Sequence, residues 1–389
     1  MEEILNEIYA IGAEDLDIDL FESQYPVEKG VSYNSYVIMD EKIAVMDTID
    51  KRRTEQWLQN LQAVLNGTAP DYLVVLHMEP DHSANIEKLS EMYPDMKLVG
   101  NARTFTILDQ FFFDKKIAAD RRITVKENDT LPLGHHTLQF IMAPMIHWPE
   151  VMMAYEQSEH TLFSADAFGR FGVPSLTMNE PWDIEARRYY YNIVGKYGNQ
   201  VQSLLKKASA LQIDTICPLH GPVLHTPLDS YFHFYDIWSQ DIPEIPDGVL
   251  IATASIHGHT RDAMHQLAAI LKAKGIDVKE IDLTRTDVSY AVSAAFQYGR
   301  IILAACTYDA NLFPAMEAFL SHLETKNLHS RRIGLVENGS WAPQAAKLMK
   351  NRLDTMKDMQ ICDTVLTIHS ALHHDDLDTM HKLADELTA

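Results

Sequence analysis

The stretch Leu73-Val74-Val75-Leu76-His77-Met78-Glu79-Pro80-Asp81-His82 sets an apolar run directly against a cluster of polar side chains. The run predicts a buried strand over residues 71–76, and functional groups gather where a rigid strand meets a loop. Four candidate ligands in the six residues that follow let one turn aim two imidazoles and two carboxylates at a single point. Matching contexts recur downstream: His147 follows Ala143-Pro144, Asp166 follows Phe163-Ser164-Ala165, and His220 precedes Gly221. Four histidines (His77, His82, His147, His220) and three carboxylates (Glu79, Asp81, Asp166) are too many for one metal and suit two. Two ions ~3.5–4 Å apart need a shared anion, and Asp166, alone in its segment, is the natural bridge.

Outward from this cluster, residues 36–39 and 42–49 read as a hairpin about Asp40-Glu41, and 52–65 as a helix ending at Gly67. Further strands are expected at 138–142, 151–156, 161–164 and 214–218, with helix over 183–211 broken near 195–199. Two sets of strands with helices outside make an αββα sandwich. Asp241 to Gly248, DIPEIPDG, is the expected linker. Beyond it strand and helix alternate regularly: strands at 249–254, 277–282, 300–305, 331–336 and 360–368, helices at 261–274, 288–297, 313–324, 342–356 and 374–387. That rhythm predicts an α/β domain with a doubly wound, parallel, five-stranded sheet. The chain therefore divides into residues 1–245 and 246–389.

Composition narrows the functions. Among 389 residues, 33 Lys+Arg against 55 Asp+Glu leave a net charge of −22, and no basic run suits nucleic acid. No apolar stretch reaches the ~18–20 residues a membrane span needs, and the acidic start MEEILNEIYA is unlike a signal peptide, so the expectation is a cytoplasmic protein. Cys217, Cys306 and Cys362 are too few and too scattered for a disulfide framework or a tetrathiolate centre, and read as buried small hydrophobes. The pairs His135-His136 and His373-His374 read as turn or surface residues, and His225 as a neighbour of the ligand set. Phe111 to Phe113 and Tyr189 to Tyr191 read as core, with Tyr190 or Tyr191 able to reach the metal pocket as a proton donor.

The second half carries its own signal. Ser255-Ile256-His257-Gly258-His259-Thr260 joins the first strand of the alternating region to a helix, where backbone N–H groups and the helix dipole cradle phosphate. Read alone, the loop is also an ordinary cap at Thr260. Two more loops strengthen the first reading: Cys306-Thr307-Tyr308-Asp309-Ala310-Asn311 and Asn338-Gly339-Ser340-Trp341. In a doubly wound sheet they meet at the carboxyl ends of the strands, where a flavin ring can lie against Tyr308 and Trp341. With no G-x-G-x-x-G fingerprint, FMN fits better than a dinucleotide.

The pattern H-x-E-x-D-H followed by spaced His, Asp and His resembles the metallo-β-lactamase superfold, and specifically the flavodiiron proteins. Gly30 to Tyr36 (GVSYNSY), His147-Trp148-Pro149 and Arg187-Arg188-Tyr189-Tyr190 are similar to that family as well. Dizinc hydrolases of the superfold usually carry His where this chain has Glu79, and the added hard oxygen suits iron. The resemblance implies a metallo-β-lactamase-like domain followed by a flavodoxin-like one. It implies His77, Glu79 and His147 on one iron, Asp81, His82 and His220 on the other, and Asp166 bridging. Two ferrous ions and a reduced FMN together hold the four electrons that O2 needs to become water, while coupling two NO into N2O needs two. The family further implies a separate rubredoxin-like or flavin-reductase electron donor, and a head-to-tail homodimer or dimer of dimers. The alternative is a dizinc, thioesterase-like hydrolase with an attached flavodoxin module.

Overall fold

The computed structural model describes residues 2–114 and 117–389. It divides into two compact units, one holding the chain up to Tyr190 with Tyr197–Asp236, the other holding Tyr191–Lys196 with Ile237–Ala389.

In the first unit the expected hairpin forms between Tyr36–Ile38 and Ala44–Met46, with Tyr36 opposite Met46. The helix Thr54–Leu65 buries Trp57, Leu61 and Leu65, one residue per turn, and ends at Asn66 in the left-handed region. It returns the chain to Tyr72–Val74, parallel to both Ala44–Met46 and Lys97–Gly100. These strands belong to a seven-stranded sheet that begins with Glu2–Leu5 and ends with Arg122–Thr124. A six-stranded sheet follows, running from Thr130–Pro132 through Thr137–Met142, Met152–Glu156, Thr161–Phe163 and Thr215–Cys217 to Leu224–His225. The Met152 N–H donates to the Leu76 carbonyl (3.1 Å), tying the second sheet to the loop that opens the ligand cluster. With the helices these sheets make the αββα sandwich.

The second unit has strand order Val278–Asp282, Ile245–Ala254, Tyr298–Tyr308, Arg332–Asn338, Gln360–Ile368, all parallel. Numbered along the chain, that is the 2-1-3-4-5 order of flavodoxin-like sheets. Helices His259–Ala273 and Asp376–Thr388 press Leu267, Leu271, Leu383 and Leu387 onto Ile251 and Val336.

Three expectations change. The DIPEIPDG stretch is not a tether: the first strand begins at Ile245, its register slips between Ile245 and Val249 around Pro246, and Asp241 is buried against Arg331. Phe111 and Phe113 are exposed, because the helix Ala102–Phe111 buries Thr104, Phe105 and Leu108 and its packed face ends a turn earlier. His136 is buried rather than superficial, its Nδ1 3.1 Å from the Glu156 carboxylate. Residues 183–211 break earlier than expected, the α-helix Trp182–Tyr189 giving way to a π-helical turn at Tyr190–Val194 and a short turn at Gly195–Tyr197 before Gly198–Ala208.

A candidate two-metal centre and a second cavity

The segment beyond Val74 is held by a buried carboxylate: Asp47 accepts the N–H groups of Leu76 (2.8 Å) and His77 (3.2 Å). Burial pushes the Asp47 carboxyl up to about 8. Glu150 then orients His77, accepting from its Nδ1 (2.9 Å) and from the Met78 N–H (2.9 Å). That leaves His77 Nε2 facing Glu79 Oε2 at 3.2 Å. Pro80 opens the short helix Pro80–Ser83, which turns Asp81 and His82 inward, and Thr48 donates to the His82 carbonyl through both its N–H and its hydroxyl. His220 gives its Nδ1–H to the Ser32 carbonyl (2.8 Å), so its Nε2 also points at the cluster.

All seven candidates converge. His77, Glu79, His147 and Asp166 form one group and Asp81, His82 and His220 another, the ligand atoms of each lying within 4.8 Å of one another. Asp166 straddles them. Its Oδ2 is 3.0 Å from His147 Nε2 and 3.6 Å from His77 Nε2, whereas its Oδ1 is 3.4 Å from His82 Nε2 and 3.8 Å from His220 Nε2. On the second side Asp81 Oδ2 lies 3.3 Å from both His82 and His220.

The donor set fits cations. Both Asp81 oxygens and Asp166 Oδ1 are buried without a hydrogen-bond partner, and the Nε2 atoms of His82 and His220 face each other at 3.0 Å. Each such orphan costs about 1–3 kcal/mol unless something positive reaches it. Electrostatics point the same way. Burial pulls His77 and His147 down, but the facing carboxylates outweigh it, leaving His77 well above the usual imidazole range and His147 at about 9. Burial opposes ionisation of Glu79 and Asp166, yet the histidines hold both far below the usual carboxylate range. The pocket demands positive charge.

The neighbouring tyrosine is Tyr189, not Tyr190 or Tyr191. Its ring lies 5.7 Å from that of His220, and its buried hydroxyl has no hydrogen-bond partner. Burial, reinforced by the Asp166 charge, keeps that hydroxyl protonated. Tyr190 packs edge-on against Tyr235, and Tyr191 stacks on Phe296. His225 lies on the exposed end of its strand, bonded to Thr215. Sequence reading missed Asp47, Glu150, Ser32 and Tyr189, whose only signal is adjacency: Glu150 follows His147-Trp148-Pro149, and Ser32 sits in GVSYNSY.

Outer carboxylates of this kind are worth about 10–100-fold in metal affinity. Glu150→Gln keeps an acceptor for Met78 and loses the charge on His77, so it is expected to weaken metal retention about tenfold or more in a chelator competition. Unchanged retention would show that Glu150 only shapes the loop.

In the second unit a cavity of about 510 Å³ opens at the carboxyl ends of Ile245–Ala254, Tyr298–Tyr308 and Arg332–Asn338. Every residue singled out in the three loops lines it except Gly258 and Asn311. Gly258, at φ +98°, caps the helix His259–Ala273, so Thr260 is not the cap. Asn311 instead pairs with Tyr308. The Thr260 hydroxyl is engaged below, accepting from Asn338 Nδ2 (3.1 Å) beside Cys306 Sγ (3.1 Å). Ser370, just past the fifth strand, exchanges two hydrogen bonds with Asn338 and joins the lining, as do Ala342 and Gln344. Trp341 is 83% and Tyr308 45% exposed, a flat aromatic rim open to solvent.

Comparison with known proteins agrees with both halves. The family model for ODP family beta lactamase matches residues 31–221. The nitric oxide reductase of Moorella thermoacetica is 27% identical, across 99% of this chain and 98% of the relative. The chain spans only 61–62% of the length of two diflavin flavoproteins that it also matches. Among solved structures, the rubredoxin oxygen:oxidoreductase from Desulfovibrio gigas superposes with TM-score 0.92 at 22% identity, covering 100% of this chain and 97% of that one. The flavodiiron protein from Giardia intestinalis gives 0.91 at 22%, covering 100% and 95%. Among the described residues no helix is long and apolar enough to cross a membrane. The fold is that of the flavodiiron proteins of known structure, with a carboxylate at position 79 inside a β-lactamase-like ligand set.

Proposed function

We propose that the chain is a flavodiiron oxidoreductase that reduces O2 to water, NO to N2O, or both, and that residues 1–245 form its diiron domain and 246–389 its FMN domain. The observation that carries this reading is Asp166, which offers one oxygen to each of two ligand trios. His77, Glu79 and His147 hold one iron, Asp81, His82 and His220 the other. The loops of residues 255–260, 307–311 and 338–341 hold FMN. When bound, two irons and FMN supply the electrons for reduction. The residues do the rest. Glu79 gives a hard oxygen beside two imidazoles, favouring iron over zinc. Glu150 and the Ser32 carbonyl fix imidazole orientation, and Asp47 holds the backbone at Leu76 and His77. Tyr189 keeps a buried O–H beside His220 as a proton source.

Tyr308 and Trp341 would hold the flavin ring, and the first loop its phosphate. The relative from Moorella is named a nitric oxide reductase and the one from Desulfovibrio a rubredoxin oxygen:oxidoreductase. A separate rubredoxin-like protein or flavin reductase is read as the electron donor, with a head-to-tail homodimer or dimer of dimers as the working assembly in the cytoplasm. The test is metal and flavin content of anaerobically purified protein, followed by O2 and NO consumption with a reduced donor. Two irons and one FMN per chain with turnover on either gas are expected. Two zincs with little flavin, persisting in iron-supplied cells, would overturn the reading in favour of a hydrolase.

A further inference from the structure

A flavin phosphate is a dianion at neutral pH, its second ionisation lying near 6 as in other phosphate monoesters. It must enter a chain of net charge −22, whose field disfavours anions. Among the described residues the cavity wall contains no lysine or arginine. Arg261, on the helix that follows the first loop, lies beside Gly258 with its guanidinium 3.6 Å from the Asp262 carboxylate, and it does not line the cavity. Across the cavity Asp309 contributes a negative group, and Tyr308 and Cys306 are its neighbours. His369, below the third loop, is bonded to the Gly339 carbonyl. The side chains in the wall able to become cationic are therefore His257 and His259, on either side of Gly258 in the loop that opens the helix His259–Ala273.

Within that loop the Gly258 N–H is turned back onto the Ser255 hydroxyl (3.1 Å), and Thr260 is occupied by Asn338 and Cys306. The Gly258 N–H, a donor that a neutral phosphate cradle would use, is thus engaged internally, and the Thr260 hydroxyl faces Asn338 and Cys306. We propose that His257 and His259 are the cationic part of the phosphate subsite, selecting phosphorylated over unphosphorylated flavin and coupling cofactor retention to proton uptake.

This rests on the reading of the cavity as a flavin site. An imidazole changes charge within the neutral range, and a dianion beside it favours the protonated form. Binding of FMN then takes up protons, so affinity falls as pH rises across the neutral range. Riboflavin offers no such anion and is indifferent to them.

The test uses the full chain freed of flavin, with FMN or riboflavin added at pH 6.5 and 8.5 and binding read from quenching of flavin fluorescence. The wild type is expected to bind FMN about tenfold more weakly at pH 8.5, with riboflavin changing less than about twofold. The variant H257N/H259N is expected to bind FMN at pH 6.5 about as weakly as the wild type does at 8.5, without pH dependence and with riboflavin affinity kept. If the double variant also loses riboflavin, H257N and H259N made singly provide the comparison, each expected to remove part of the pH dependence. FMN binding that is equal at both pH values, or insensitive to every variant, overturns the proposal while leaving the flavin site intact. Failure of the wild type to bind either flavin overturns the site reading instead.

Discussion

Asp166→Asn is expected to leave at most one tightly held metal per chain and to lower turnover on O2 or NO by more than about 100-fold. The argument is geometric before it is electrostatic. Among the seven candidate ligands Asp166 is the one whose two oxygens face different trios, Oδ2 toward His147 and His77, Oδ1 toward His82 and His220. Losing an outer partner of a ligand costs about 10–100-fold, and losing a shared anion removes a contact from both ions at once. The amide keeps the shape and discards the charge. Without that charge, His77 and His147 lose a main cause of their raised proton affinity, since the same carboxylate acts on both. Metal analysis beside single-turnover kinetics reads the two effects separately. Two retained metals with unimpaired turnover would remove Asp166 from the bridging role and with it the strongest argument for a binuclear centre.

Legibility in the sequence followed how local each signal was. The run of residues 71–76 ending in HMEPDH marks a strand end and its ligands with no knowledge of the rest of the chain, and the βα rhythm after Val249 gives the sheet its order because each unit obeys the same connection rule. Glu150, Ser32 and Tyr189 act at a distance along the chain, Glu150 on His77 and Ser32 on His220, and no spacing announces such pairings. Tyr189 to Tyr191 are all buried, but a π-helical turn beginning at Tyr190 sends successive rings to different neighbours, so a helical period does not tell which one faces His220. The Phe111 to Phe113 run was legible only as apolar content, which says nothing about where a helix stops packing. DIPEIPDG misled for the opposite reason, because prolines and acids mark linkers by composition while Asp241 is engaged by a residue ninety positions away.

Arg331→Met is expected to destabilise the second unit by about 3–5 kcal/mol, the usual cost of breaking a buried ion pair from one side. Arg331 is 1% exposed, and its guanidinium bonds the Asp241 carboxylate together with the carbonyls of Asp241 (3.2 Å), His329 (2.8 Å), Phe296 (3.0 Å) and Ala295 (3.3 Å). Two of those carbonyls belong to the last turn of Val288–Gln297, so the same group closes a helix end and anchors the entry to the first strand. Methionine fills the volume and answers none of these acceptors. Burial already pushes the Asp241 carboxyl above its usual range with the arginine in place, so without it the acid is left uncompensated and must take up a proton. At about 2–4 °C per kcal/mol for a unit of this size, thermal release of flavin should move down by about 10 °C. Adding Asp241→Asn should recover part of the loss, because the second change removes the stranded charge while keeping an acceptor for the His329 N–H. If the single variant melts like the wild type, Asp241 is not anchored by Arg331, and DIPEIPDG is the flexible tether that its composition suggests.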